Sequence, residues 1–128
     1  MRVLVTGCRD WLDEAAVFTE LSRCYVEACR DGKRLHVVHG AAAGADAFAS
    51  KWCMMRNDIG ISEERYPADW KTHGKAAGHI RNAKMITENP PELCLAFWDG
   101  RSPGTHDMIT KCAMAGIPVR IVPKKAYP

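Results

Sequence analysis

A chain of 128 residues with 47% hydrophobic content can bury one layered core and is too short for two ordinary domains. Its apolar runs are short and interrupted by charge, which excludes the stretch of about 20 residues needed to cross a bilayer as a helix. The formal charge of +3 is dispersed along the sequence, which argues against a nucleic-acid surface but suits a few cations converging on one small phosphate ligand.

The first apolar run, Arg2 to Thr6, reads as a strand and is too brief for a signal-peptide core. A cytoplasmic protein with one domain over 1–128 and no membrane partner is therefore expected. From about Asp13 to Arg30, Val17, Leu21, Cys24 and Ala28 recur at helical spacing and define one apolar face. Asp31-Gly32 ends this helix. Leu35 to His39 is a second strand, followed by a helix from about Gly44 to Asn57 with Ala45, Phe48, Trp52 and Met55 on its expected inner face. Ile61 to Tyr66 is a third strand, and its Glu63-Glu64-Arg65 charges mark it as an edge.

Residues 67–78 read as the longest loop, and a helix from about Ala76 to Glu88 ends at Asn89-Pro90-Pro91. Leu93 to Trp98 is the fourth strand, Asp99 to Gly104 a turn, Thr105 to Ala115 a helix, and Pro118 to Val122 the last strand. Strands alternating with helices define βαβ units around a mainly parallel, five-stranded sheet: an α/β, Rossmann-like three-layer sandwich. Cys24, Cys29, Cys53, Cys94 and Cys112 fall at apolar positions of these elements and read as reduced core residues. With no CxxC pair and scattered histidines, no metal site is expected.

Ligands of open parallel sheets bind outside the carboxyl ends of the strands, so the four loops there carry the functional expectations. After the first strand, Gly7 permits a close backbone approach and Arg9 can fork onto an anion; alternatively Arg9 and Asp10 form a solvated pair and Trp11 covers the core. After the second, Gly40 to Gly44 is a small-residue loop able to turn backbone N–H groups toward a phosphate, with Asp46 as ligand contact or as helix cap and loop brace. It matches neither the P-loop nor the GxGxxG spacing. After the third, Arg81 and Asn82 open a helix, and Asp69 and Arg81 either brace the loop as a pair or share a ligand. After the fourth, Ser102, Gly104 and Thr105 offer donors at a helix start, as phosphate site or as plain N-cap.

Gly7-Cys8-Arg9-Asp10-Trp11, His39-Gly40-x3-Gly44-Ala45-Asp46, Pro67-Ala68-Asp69-Trp70-x2-His73-Gly74-x3-Gly78-x2-Arg81-Asn82-x2-Met85 and Ala96-Phe97-x4-Ser102-x-Gly104-Thr105, taken together, closely resemble the YspA-like branch of the SLOG superfamily. That superfamily includes the Lonely Guy phosphoribohydrolases and the DNA-processing protein DprA. The resemblance implies a modified Rossmann sheet and a pocket for a nucleotide or nucleotide-derived ligand, and beyond such a ligand no particular cofactor is assigned. It also implies a rival activity, N-glycosidic hydrolysis of nucleoside monophosphates. Arg81 would then hold the phosphate and Asp10 or Asp69 would act as acid and base, with Asp99 as a further substitute.

In the Lonely Guy branch a glutamate in PGGxGTxxE takes part in cleavage, and the matching position here is Met108. Asp107, one residue earlier, is rotated by about 100 degrees on a helix. Two further departures are Cys8, where serine is usual, and His79, where proline is common. Kinship with DprA and four tryptophans raise a third reading, single-strand binding by stacking, which the dispersed charge opposes. A homodimer through helix faces fits the limited core.

Overall fold

The structure, a computed structural model, describes residues 1–56 and 60–125. Five strands, β1 (Arg2–Gly7), β2 (Leu35–His39), β3 (Ile61–Arg65), β4 (Leu93–Trp98) and β5 (Val119–Pro123), form one sheet in the order β3-β2-β1-β4-β5. Every pairing is parallel, with Val3 beside Val37 and Leu93, for example. Parallel neighbours require crossovers, supplied here by α1 (Glu14–Arg30), α2 (Ala45–Arg56), the short α3 (Trp70–His73), α4 (Ala77–Thr87) and α5 (Pro103–Met114). The chain steps outward from β1 to β3 and then returns to β4 on the other side of β1. Right-handed crossovers moving in opposite directions put helices on opposite faces.

Side chains alternate across a strand, so β1 serves two cores at once. Val3 and Val5 pack with Val17, Leu21 and Trp52 of α1 and α2, whereas Leu4 packs with Met85 of α4 and with Met108 and Cys112 of α5. Each fully buried Val, Leu or Met of this kind contributes about 1.5–3 kcal/mol. No helix among the described residues is long and apolar enough to cross a membrane.

Val17, Leu21, Cys24 and Ala28 are all buried, and the Asp13 side chain caps α1 by accepting from the Ala16 N–H at 3.1 Å. Cys29 is exposed, because it lies one residue past Ala28 and so about 100 degrees around the helix. On α2 the inner face is Ala45, Ala49, Trp52 and Cys53, and Met55 is 66% exposed. Of the expected face Ala45 and Trp52 are buried and Phe48 packs against the core, while Met55 gives way to the i+4 and i+8 positions, Ala49 and Cys53. Asn57, the expected end of this helix, lies outside the described residues. The segment expected as a long loop contains α3 and a 3-10 turn at Gly74–Ala76. α5 starts two residues earlier than expected, with Pro103 in its first turn, where its missing N–H costs nothing.

Candidate functional site

Sheet order reverses between β1 and β4, and at that point the loops leave for opposite faces. A cleft of about 470 Å³ opens there, walled by the ends of β1 and β2 and by α3, α4 and α5. Gly7, Arg9 and Asp10 line it from the β1 loop, Gly40 and Asp46 from the β2 side, Arg81 and Asn82 from α4, and Ser102, Gly104 and Thr105 from the start of α5. Of the residues singled out in the sequence, Gly44, Asp69 and Asp99 are outside this lining. Trp70, Lys75, His79 and Met108 join it; Trp70 and Lys75 went unremarked as ligand contacts because neither belongs to a phosphate-type pattern.

The loop after β2 is organised by its own carboxylate. Asp46 Oδ2 accepts from the Gly40 N–H at 3.1 Å and the Ala42 N–H at 3.2 Å, while the Ala41 N–H donates to His39 Nδ1 at 3.0 Å. These three donors are therefore taken within the protein, and Asp46 sits where an anion bound by this loop would sit. Since Nδ1 accepts, Nε2 of the fully buried His39 carries the proton and donates to Glu63 Oε2 at 2.6 Å. Asp46 Oδ1 is buried with no partner. Burial pushes the Asp46 carboxyl up, with the Ala42 N–H, Arg81 and the Gly40 N–H partly offsetting it.

Two glycines hold close approaches in this region. A Cβ on Gly40 would collide with the Arg81 guanidinium, and Gly44 combines φ +77 with carbonyls of Cys8 and Arg9 where its side chain would go. Arg81 Nη1 donates to the Gly40 carbonyl at 2.6 Å and to the Tyr66 carbonyl at 3.3 Å, and Nε donates to Asn82 Oδ1 at 3.0 Å. The guanidinium thus ties α4 to the ends of β2 and β3, and burial lowers its pKa from the ordinary value. Asp69 does not meet Arg81. It is the exposed N-cap of α3, accepting from the Thr72 N–H at 3.1 Å, and the bonds from the Thr72 side chain and then its backbone lower its pKa.

Asn82 joins α4 to α5, its Nδ2 donating to the Gly104 carbonyl at 3.2 Å and to Asp107 Oδ2 at 3.0 Å. Asp107 also takes Lys111 at 2.5 Å and His79 at 3.0 Å. Burial opposes its charge, but the bonds from Lys111, Asn82 and His79 win and hold its pKa low. It is committed to the α4–α5 joint, and the fully buried Met108 faces the cleft in its stead. Ser102 stands at the N-cap of α5 without a side-chain cap bond; its Oγ instead accepts from the Thr105 hydroxyl at 3.3 Å. The first N–H groups of a helix lack intrahelical acceptors and carry partial positive charge, so this end of the cleft favours an anion.

Among the described residues the one group with metal-ligating atoms in reach of each other is Cys8, Asp10 and Asp99, within 4.8 Å. Burial raises the Cys8 thiol to about 11, and Asp99 Oδ1 already accepts from the N–H groups of Arg101 and Ser102 at 2.8 Å. A protonated thiol and an engaged carboxylate make a poor cation site.

Over residues 1–73, more than half of its length, the chain matches the model of the YspA, cpYpsA-related SLOG family. It is 42% identical over 120 residues to the "Gene 61 protein" of Mycobacterium phage D29, covering 92% of this chain and 93% of that one. No solved structure matches it significantly. With the motif residues of that match gathered at the ends of β1 and β2, the chain belongs to the YspA, cpYpsA-related SLOG family, whose common theme is nucleotide-related binding or processing.

Proposed function

We propose that the cleft binds a nucleotide or nucleotide-derived small molecule, with its phosphate at the start of α5 and near Arg81. The observation that carries this reading is the uncapped N-terminus of α5 facing a cleft that Arg9, Lys75 and Arg81 also line. A volume of about 470 Å³ suits a small ligand, since such sites run to roughly 300–1,000 Å³. Binding is favoured over hydrolysis because Met108 supplies no carboxylate to activate water. Calorimetry against nucleoside monophosphates, NAD, ADP-ribose and cyclic nucleotides tests it. Micromolar binding weakened at least tenfold by Lys75→Ala and Arg81→Ala is expected; absence of binding to the whole panel, or identical binding by both variants, refutes it.

N-glycosidic hydrolysis is the second reading, and Asp46 is the observation in its favour. Its Oδ1 is buried and unpartnered, and the residue lines the cleft, whereas Asp69 caps α3 at the surface. A carboxyl whose pKa burial raises is suited to act as a general acid. On this reading free base released from a nucleoside monophosphate disappears with Asp46→Asn and persists with Asp10→Asn and Asp69→Asn.

A further inference from the structure

Arg9 and Trp70 meet at the mouth of the cleft. The Arg9 guanidinium carbon lies 5.3 Å from the centre of the Trp70 ring, inside cation–π range. Both side chains are exposed, Trp70 by 48%. Among the described residues Arg9 has no carboxylate partner, and the charge that acts on Arg81 from its side is repulsive. This is a weak anchorage for an arginine in a cleft, and it leaves the guanidinium free to exchange one partner for another.

The pair also divides space. A second cavity of about 250 Å³ adjoins the pair, lined also by Ala41, Ala42, Ala43, Pro67 and Ala68. Arg9, Gly40, Ala42, Trp70 and Arg81 border both this cavity and the main cleft. The smaller space has the lining of a slot for a flat group: small side chains, a proline and one large ring, with the guanidiniums of Arg9 and Arg81 at its border. Trp70 is seated from below, since the Cβ position of Gly78 on α4 lies 3.7 Å from Trp70 Cη2, and from the side by the Asp69 cap that holds α3.

We infer that Trp70 is the platform on which the planar base of the ligand stacks, and that Arg9 covers this platform until the ligand's phosphate draws it away. The inference rests on the nucleotide reading above and adds to it the residue that selects for a base. A guanidinium over a ring exchanges for a base over the same ring, while the guanidinium gains a charge-assisted bond to phosphate. The ligand class is thereby narrowed to phosphates bearing an aromatic base, with sugar phosphates bound more weakly.

Two probes separate the parts: adenosine 5′-monophosphate and ribose 5-phosphate, titrated by calorimetry into the wild type, Trp70→Ala, Trp70→Phe and Arg9→Ala. Base–aromatic stacking corresponds to about ten- to hundredfold in affinity. Trp70→Ala is expected to lose that factor for adenosine 5′-monophosphate and to bind ribose 5-phosphate within about twofold of the wild type. Trp70→Phe should retain most of the nucleotide affinity, and Arg9→Ala should weaken both probes. Equal affinity of Trp70→Ala and wild type for the nucleotide, or equal weakening of both probes by Trp70→Ala, overturns the platform while leaving the nucleotide reading in place. Unchanged binding of ribose 5-phosphate by Arg9→Ala overturns the transfer of Arg9 to phosphate. No binding of either probe by the wild type overturns the platform and the transfer of Arg9, while the nucleotide reading falls only if the whole panel above fails to bind.

Discussion

Removing the Asp46 carboxylate should cost stability through the backbone it holds. Asp46→Ala strips the acceptor from two N–H groups, those of Gly40 and Ala42. Gly40 is buried and Ala42 partly exposed. A buried donor left unpaired costs about 1–3 kcal/mol, and one that water can reach about 0.5–1 kcal/mol. Relief from burying the carboxyl offsets part of this, so a net loss of about 2 kcal/mol is expected. With a urea slope of about 1–3 kcal/mol per molar for a domain of this size, the unfolding midpoint should fall by about 1 M. Asp46→Asn keeps an oxygen for both N–H groups and should lose under about 1 kcal/mol.

The pH dependence carries the sign. The Asp46 pKa is raised in the folded state, mainly by burial, so its stabilising contribution is complete below the unfolded value near 4 and declines as pH rises through the folded value. The stability of the wild type relative to Asp46→Asn should therefore fall as pH rises above about 4. A midpoint for Asp46→Ala equal to that of the wild type, or a wild-type advantage that grows with pH, would refute the reasoning.

Two other outcomes follow from the same structure. Glu64 accepts from Arg2 at 2.8 Å, His36 at 2.8 Å and Tyr66 at 2.5 Å, and the bonds from Arg2, Tyr66 and His36, in that order, bring its pKa down to about 2. Its stabilisation is thus present above pH 4–5 and is lost as pH falls toward about 2; Glu64→Gln should flatten the acid limb of a stability–pH curve and, because the site is partly exposed and screened, cost about 1 kcal/mol at pH 7. Of six cysteines, Cys29 is exposed, while burial raises Cys8 and Cys24 to about 11 and Cys53 to about 12. At pH 8 a disulfide reagent should modify one thiol rapidly, a reaction abolished by Cys29→Ser; two or more fast thiols would contradict the burial pattern.

Local pattern carried the secondary structure well where burial is one-sided. The face of α1 and the edge character of β3 follow from spacing and charge within single segments, because helix and strand geometry alone decides which neighbours share a side. The short α3 was missed, since a four-residue helix capped by Asp69 has too few positions to show a period. The inner face of α2 was read wrongly at Met55 for a related cause: alanine-rich helices offer several small-residue stripes, and the sheet selects one of them.

The sequence by itself determined the α/β class, the alternation of five strands with helices, and the four strand-end loops in which the cleft residues lie. Tertiary structure alone decided what those loop residues do. Asp46 fills its own loop with its carboxylate, Arg81 reaches 41 positions back to the Gly40 carbonyl, Asp107 is drawn to Asn82 and Lys111, and Arg9 lies across Trp70. The physical reason is that, beyond the local bonds of Asp46 and Lys111, these side chains take their direction from partners supplied by distant segments. Those partners are brought within hydrogen-bond range only when the sheet order reverses between β1 and β4.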